Sequence, residues 1–323
     1  MLQAVQDYNQ PSRLTQPERM AFAGTPAKPL PGPCAGRSAL EKKPASVNLR
    51  VFQHWRPMSE SNRRTRICNP LHNHSANRPQ SPDHIILFGG DHRRAFRNVV
   101  PSFGVALSAG ILAEGGHPAD TLTVPQDEAR KLAEHLLDAH FDISVCRDIE
   151  LDHAFAQPLR DLAGALNGYP VIPVPVNCAT APLPNARRVL EFGEAVCRYL
   201  DEQDKRVLVI GTGGLSHSPP SLELDAYEIS DEQRAQVIAD GLPGARKKIK
   251  PEWDKQLLDA FAVADAAALV ELADAAHAEA GAGANEVRTW LAAFAAGGGN
   301  PLTTVVYEAV EEWITGMAVA ASA

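Results

Sequence analysis

Two stretches of this chain share one construction: a short run of apolar residues that breaks at glycines and delivers a histidine. Val207-Leu-Val-Ile210 leads into Gly211-Thr-Gly-Gly-Leu-Ser-His217, and Pro219 and Pro220 stiffen the exit. His84-Ile-Ile-Leu-Phe88 leads in the same way into Gly89-Gly-Asp-His92. Continuous β-branched runs of this length predict strands covered on both faces, as in a parallel sheet. Phe141–Cys146 predicts a third strand, followed by a loop that carries Asp152 and His153. Tyr169–Val176 is β-branched but holds three prolines, which predicts an irregular or edge strand. Between and after these runs the apolar spacing turns helical, over 127–140, 157–166, 187–200, 253–272 and 286–296. Asn285 is placed as the N-cap of the last helix, after a flexible Gly281–Ala284, with Glu286 in its first turn. The fold expected is α/β, a central and mostly parallel sheet flanked by helices.

The first 80 residues break this picture. Ten prolines recur there without sustained periodicity, and 12 Lys/Arg stand against 4 Asp/Glu, whereas the rest holds 19 against 35. The domain organisation expected is therefore a basic, Pro-rich, irregular or disordered leader over 1–81 and a catalytic domain over 82–320. A basic leader on an acidic body does not make a nucleic-acid surface. No stretch is long and apolar enough to span a bilayer. The five cysteines form no C-x-x-C pair. A reduced, cytoplasmic protein is expected.

Ligands of open α/β sheets bind beyond the carboxyl ends of strands, so His92, His153 and His217 are placed to converge at one edge. Glu286 at a helix start adds a carboxylate. Two histidines and one carboxylate with open positions suit non-haem Fe(II). Other motif readings fail. Gly211–Ser216 lacks the third glycine of a dinucleotide fingerprint, no phosphate loop occurs, and Ser216 is not in a G-x-S-x-G elbow. His135 and His140 are read as surface or packing residues.

Four segments carry a resemblance. Leu151-Asp-His153-Ala-Phe-Ala-Gln-Pro-Leu159 resembles the D-H-G-F-x-x-P-L segment of the class III, LigB-type extradiol ring-cleavage dioxygenases. Gly211–Pro220 resembles their G-[ST]-G-G-[LM]-S-H stretch, Ile86–His92 their strand ending in D-H, and Asn285–Phe294 their C-terminal helix that opens on a metal-binding glutamate. Val174–Pro184 and Pro251–Asp254 are similar to the branch that acts on 2,3-dihydroxyphenylpropionate. The resemblance spans about 82 to 316. It implies Fe(II)-dependent extradiol cleavage of a catechol with a carboxylated side chain, such as 2,3-dihydroxyphenylpropionate, by O2 in aromatic degradation. It implies His92 and Glu286 as iron ligands, His153 as proton donor and His217 as proton acceptor. Histidine suits both proton steps because its pKa lies near working pH. It also implies a homo-oligomer, to which the apolar C-terminal helices are suited as an interface. Family members begin with a strand ending in S-H-x-P that supplies another iron-binding histidine. That motif does not occur here. His54, in Phe52-Gln-His-Trp-Arg-Pro57, is the candidate third ligand. The alternative reading is a non-redox binding protein that kept the pocket and lacks one iron ligand.

Overall fold

A computed structural model of the protein describes residues 82–114, 116–223 and 230–322. The expected leader and His54 lie outside the described residues. The strands are β1 (His84–Gly89), β2 (Gly104–Ala106), β3 (Ala109–Ile111), β4 (Asp120–Thr121), β5 (Ser144–Cys146), β6 (Ile149–Leu151), β7 (Val171–Pro175), β8 (Val207–Gly211), β9 (Leu302–Val310) and β10 (Thr315–Ser322). The helices are α1 (Gln126–Asp138), α2 (His153–Leu162), α3 (Ala186–Asp201), α4 (Asp231–Ala245), α5 (Pro251–Ala262), α6 (Ala266–Ala280) and α7 (Val287–Ala296).

β1 is the middle of a parallel sheet in the order β7-β1-β8, with Ile86 opposite Ile172 on one side and Val209 on the other. Every residue of β1 is buried. Its alternating side chains explain why the run is apolar throughout. Ile86 and Phe88 enter one core with residues of α1, α3 and α7, whereas Ile85 and Leu87 enter a second with Leu151, Phe155 and Leu159. β7 is the edge strand its prolines predict. Smaller pairs, β2 with β5 and β3 with β6, are also parallel, while β3 and β4 run antiparallel. The mostly parallel α/β arrangement expected from the pattern is the one found.

The helices follow local rules. α1 buries Ala129, Leu132, Ala133 and Leu136 at one helical face, with Asp127 and Glu128 in the first turn. Asn185 caps α3 by accepting from the Arg188 N–H at 2.8 Å.

Several boundaries differ from the sequence expectation. The helix expected from 157 begins at His153, because the Asp152 carboxylate accepts from the Ala154 N–H at 2.9 Å and starts it earlier. Pro158 therefore lies inside α2. The single helix expected over 253–272 is two. Ala264 adopts a left-handed φ of 55°, and Asp265 caps a new helix by accepting from Ala267 and Ala268. The third strand is only Ser144–Cys146 long. A final antiparallel hairpin, β9 and β10, was not expected at all. The face of α7 expected to serve an interface is buried within the chain, with Val287, Leu291 and Phe294 in the core.

Candidate active site

His92 lies three residues past β1 and is held by what precedes and follows it. Asp91 turns the loop, accepting from the backbone N–H groups of Arg94, Ala95 and Phe96 at 3.0–3.1 Å. Asp152, ahead of α2, is buried and accepts from both the His92 backbone N–H at 3.2 Å and its ring Nδ1 at 3.0 Å. A carboxylate in that position fixes the hydrogen on Nδ1 and turns the Nε2 lone pair inward. Burial alone would raise the Asp152 pKa, but the neighbouring His92 and His153 and the Ala154 N–H outweigh it and hold the carboxyl well below its usual range.

Glu286 arrives from the opposite side. It is the last residue of a 3-10 turn, Ala282–Glu286, that runs directly into α7. Asn285 is not an N-cap. Its side chain donates to the Ala282 carbonyl and accepts from Arg288. The turn is buried, and Gly283 packs against the His217 ring, where a Cβ would come within 2.2 Å of Nε2.

The two candidate ligands meet. His92 Nε2 is 2.9 Å from Glu286 Oε1, and Glu286 Oε2 accepts from the Gly214 N–H at 2.7 Å. Burial raises the Glu286 pKa, yet His217 and His92 beside it win and keep it well below the ordinary range. A separation of 2.9 Å places the two donor atoms close enough that one cation could be held by both. The donor chemistry of the pair, imidazole and carboxylate with their outer atoms already anchored, fits a divalent transition metal. His92, Asp152 and His153 also bring ligand atoms within 4.8 Å of one another. Asp152 is spent on a helix cap and on the back of His92, so this trio is less suited to an ion. Among the described residues no other group of three ligand atoms lies so close together. His217 Nε2 is 3.7 Å from Glu286 Oε1, beside the pair and outside it.

The other two histidines flank this centre. His153, the first residue of α2, stacks on His92 with ring centroids 4.5 Å apart and planes 8° from parallel. His217 follows β8, and its Nδ1 is 2.8 Å from the Leu215 carbonyl. Only a ring hydrogen makes that contact a bond, so Nδ1 is protonated and Nε2 turns toward Glu286. The loop that carries His217 is buttressed from below. Asp254, fully buried, accepts from the Ser216 N–H at 2.7 Å, from its hydroxyl at 2.8 Å and from the Tyr307 hydroxyl at 2.8 Å. Ser216 is therefore a structural residue, not a nucleophile.

A cavity of ≈ 190 Å³ opens over His92, His153, His217 and Glu286. Its far wall is apolar, with Pro158, Pro220, Ile238, Leu242, Trp313 and Met317. The sequence reading missed this wall, since α4 and the β9–β10 hairpin supply most of it. It also missed the orienting acids Asp152 and Glu114. Asp152 had a signal in the D-H pair, whereas Glu114 had none.

Fold and site together define an α/β enzyme whose histidines and carboxylate gather at the carboxyl ends of parallel strands. Comparison with known proteins gives the family. The model of the catalytic LigB subunit of aromatic ring-opening dioxygenase matches residues 64–318. A 2,3-dihydroxyphenylpropionate/2,3-dihydroxicinnamic acid 1,2-dioxygenase of Photorhabdus laumondii is 34% identical over 263 residues, covering 73% of this chain and 83% of its own. Enzymes of the same name from Pseudomonas putida (35% over 240 residues, 67% and 76%) and Azotobacter vinelandii (34% over 264 residues, 74% and 85%) are similar. The chain belongs to the LigB family of aromatic ring-opening dioxygenases, which are metal-dependent enzymes.

Proposed function

We propose that this protein is an Fe(II)-dependent extradiol dioxygenase that opens the ring of a catechol bearing a carboxylated side chain, of the 2,3-dihydroxyphenylpropionate kind. The observation that carries the reading is the 2.9 Å pairing of His92 Nε2 with Glu286 Oε1, flanked by His153 and His217 over one cavity. His92 and Glu286 would hold the metal, which when bound supplies the open positions where catechol and dioxygen meet. His217, whose Nδ1 is held by the Leu215 carbonyl, is the base that takes a hydroxyl proton from the catechol. His153, across the cavity, is the acid that returns a proton as the ring opens. The apolar wall excludes water and receives the side chain. A further ligand is required to complete the set, and His54 is the candidate outside the described residues.

The reading takes 82–320 as the catalytic domain and 1–81 as a separate leader. It takes the protein as cytoplasmic, in keeping with the free thiols at Cys146 and Cys178. No helix among the described residues is long and apolar enough to cross a membrane. It also takes the protein as a homo-oligomer, for which Val305 and Val306 on β9, about 40% exposed, offer apolar contact.

The test is anaerobic loading with Fe(II), followed by air and 2,3-dihydroxyphenylpropionate. The expected result is bound iron and a yellow ring-opened product. The absence of both bound iron and ring-opened product would sink the reading.

A further inference from the structure

Glu114 has no part in the steps above, yet both of its carboxylate oxygens are committed. Oε2 accepts twice from a single residue, from the His153 backbone N–H at 3.0 Å and from the His153 ring Nδ1 at 3.1 Å. Oε1 accepts from the Arg94 guanidinium at 3.2 Å. Glu114 follows β3, Arg94 follows β1 and His153 opens α2, so three separate segments meet on one carboxylate that is 19% exposed. Burial opposes ionisation of Glu114, but the hydrogen bond and charge of His153 and the charge of Arg94 prevail and lower its pKa.

An ionised carboxylate accepts and cannot donate, so His153 Nδ1 carries a hydrogen. Nε2 is then the ring nitrogen that Glu114 does not engage, on a residue that lines the cavity. Stacking on His92 fixes the plane of the ring but not its rotation within that plane. A flip about the Cβ–Cγ bond exchanges nitrogen for carbon and keeps the stack. The bond to Glu114 selects one of the two orientations.

We propose that Glu114, itself clamped by Arg94, is the positioning residue of His153 and fixes the ring orientation and tautomer in which Nε2 faces the substrate. Its kinetic consequence rests on the ring-cleavage reading, in which His153 delivers a proton. The geometric claim does not.

A double-mutant cycle on the Fe(II)-loaded full chain tests the kinetic part. Glu114→Ala lowers kcat about 10- to 100-fold, part of the roughly 10²- to 10⁴-fold worth of a general acid, with KM for the catechol changed by less than about twofold. In a His153→Ala background the same substitution costs less than about twofold, because its route of action is gone. Equal losses in both backgrounds, or an unchanged kcat for Glu114→Ala, overturn the proposal. Where the alanine variant does not fold, Glu114→Gln carries the same cycle, with the loss again confined to the background that keeps His153.

Histidine ¹⁵N NMR of the metal-free full chain supplies a readout independent of turnover. The expected result is a protected, downfield Nδ1–H of His153 that disappears in Glu114→Ala. Its absence from the wild type, or its persistence in the variant, overturns the proposal. Wild-type protein that shows the signal but opens no ring retires the ring-cleavage reading and leaves the positioning role standing.

Discussion

Gly213 is the sharpest place to test how Glu286, the carboxylate proposed as a metal ligand, is held. It adopts φ +116°, a conformation L side chains rarely take, and it sits directly on Glu286. A Cβ built there would lie 2.6 Å from Glu286 Cβ and 2.7 Å from Oε2, against 3.4 Å for ordinary contact. The two groups would have to part by about 0.7–0.8 Å. Glu286 cannot simply swing aside, since its Oε2 is bound to the Gly214 N–H and its Oε1 to His92. Gly213→Ala therefore costs about 1–3 kcal/mol in backbone strain and about 1–3 kcal/mol in overpacking. Relief comes by pushing the carboxylate off its place beside His92. A displacement approaching 1 Å at a reacting centre costs about 100-fold in rate. Anaerobic Fe(II) titration followed by desalting and metal analysis reads the ligand, and thermal unfolding reads the strain. The expected outcome is a chain less stable than wild type that retains little metal. Glu286→Gln, which adds no volume, should lose the metal without the strain. Gly213→Ala with wild-type iron content and wild-type kcat would refute the placement of Glu286 as ligand.

Two further outcomes follow from the same geometry. His217→Ala should keep its metal and lose about 10²- to 10⁴-fold in kcat; an unchanged kcat removes His217 from the base role. His84 concerns stability: it is buried with no partner for Nε2, and burial, aided by Lys205, pushes its pKa from 6.5 down to about 4. The unfolded chain then binds a proton between those values that the folded chain refuses, so this contribution is complete above pH 6.5 and is lost as pH falls toward 4. It amounts to about 3 kcal/mol. Denaturant unfolding at pH 7, 5 and 4 should show a shallower fall for His84→Asn than for wild type, and parallel falls would refute the assignment.

What the sequence made legible tracks what local physics dictates. β1 and β8 were readable because a strand buried on both faces must be apolar at every position, and so were the histidines that follow them. α2 was misplaced because Pro158 reads as a helix opening, whereas the Asp152 carboxylate, a stronger start signal, stood one residue before a histidine already read as a loop residue. The division of α5 from α6 was hidden because the alanine-rich run from Ala260 to Ala268 contains no glycine or proline. β9 has mostly exposed residues in succession and β10 mixes small and intermediate ones, so neither shows the clean alternation that marks a half-buried strand. Glu114 is 39 residues from His153, and nothing about an acid in a loop announces a partner at that distance.

The three histidines at this site are one residue type with three proposed duties, and the difference between them lies behind each ring. His92 has the Asp152 carboxylate at Nδ1, His153 has the Glu114 carboxylate, and His217 has the Leu215 carbonyl. All three acceptors put the hydrogen on Nδ1 and aim Nε2 inward, so tautomer alone does not separate them. Charge does. His153 has a full carboxylate behind its ring. His217 has a neutral carbonyl behind its ring, and the Glu286 carboxylate stands 3.7 Å in front of its Nε2. His92 joins a carboxylate at its back to a second one, Glu286, at its front, where Nε2 and Oε1 stand 2.9 Å apart. Two acids around one imidazole leave excess negative charge at the meeting point, which a divalent cation held by His92 and Glu286 would neutralise.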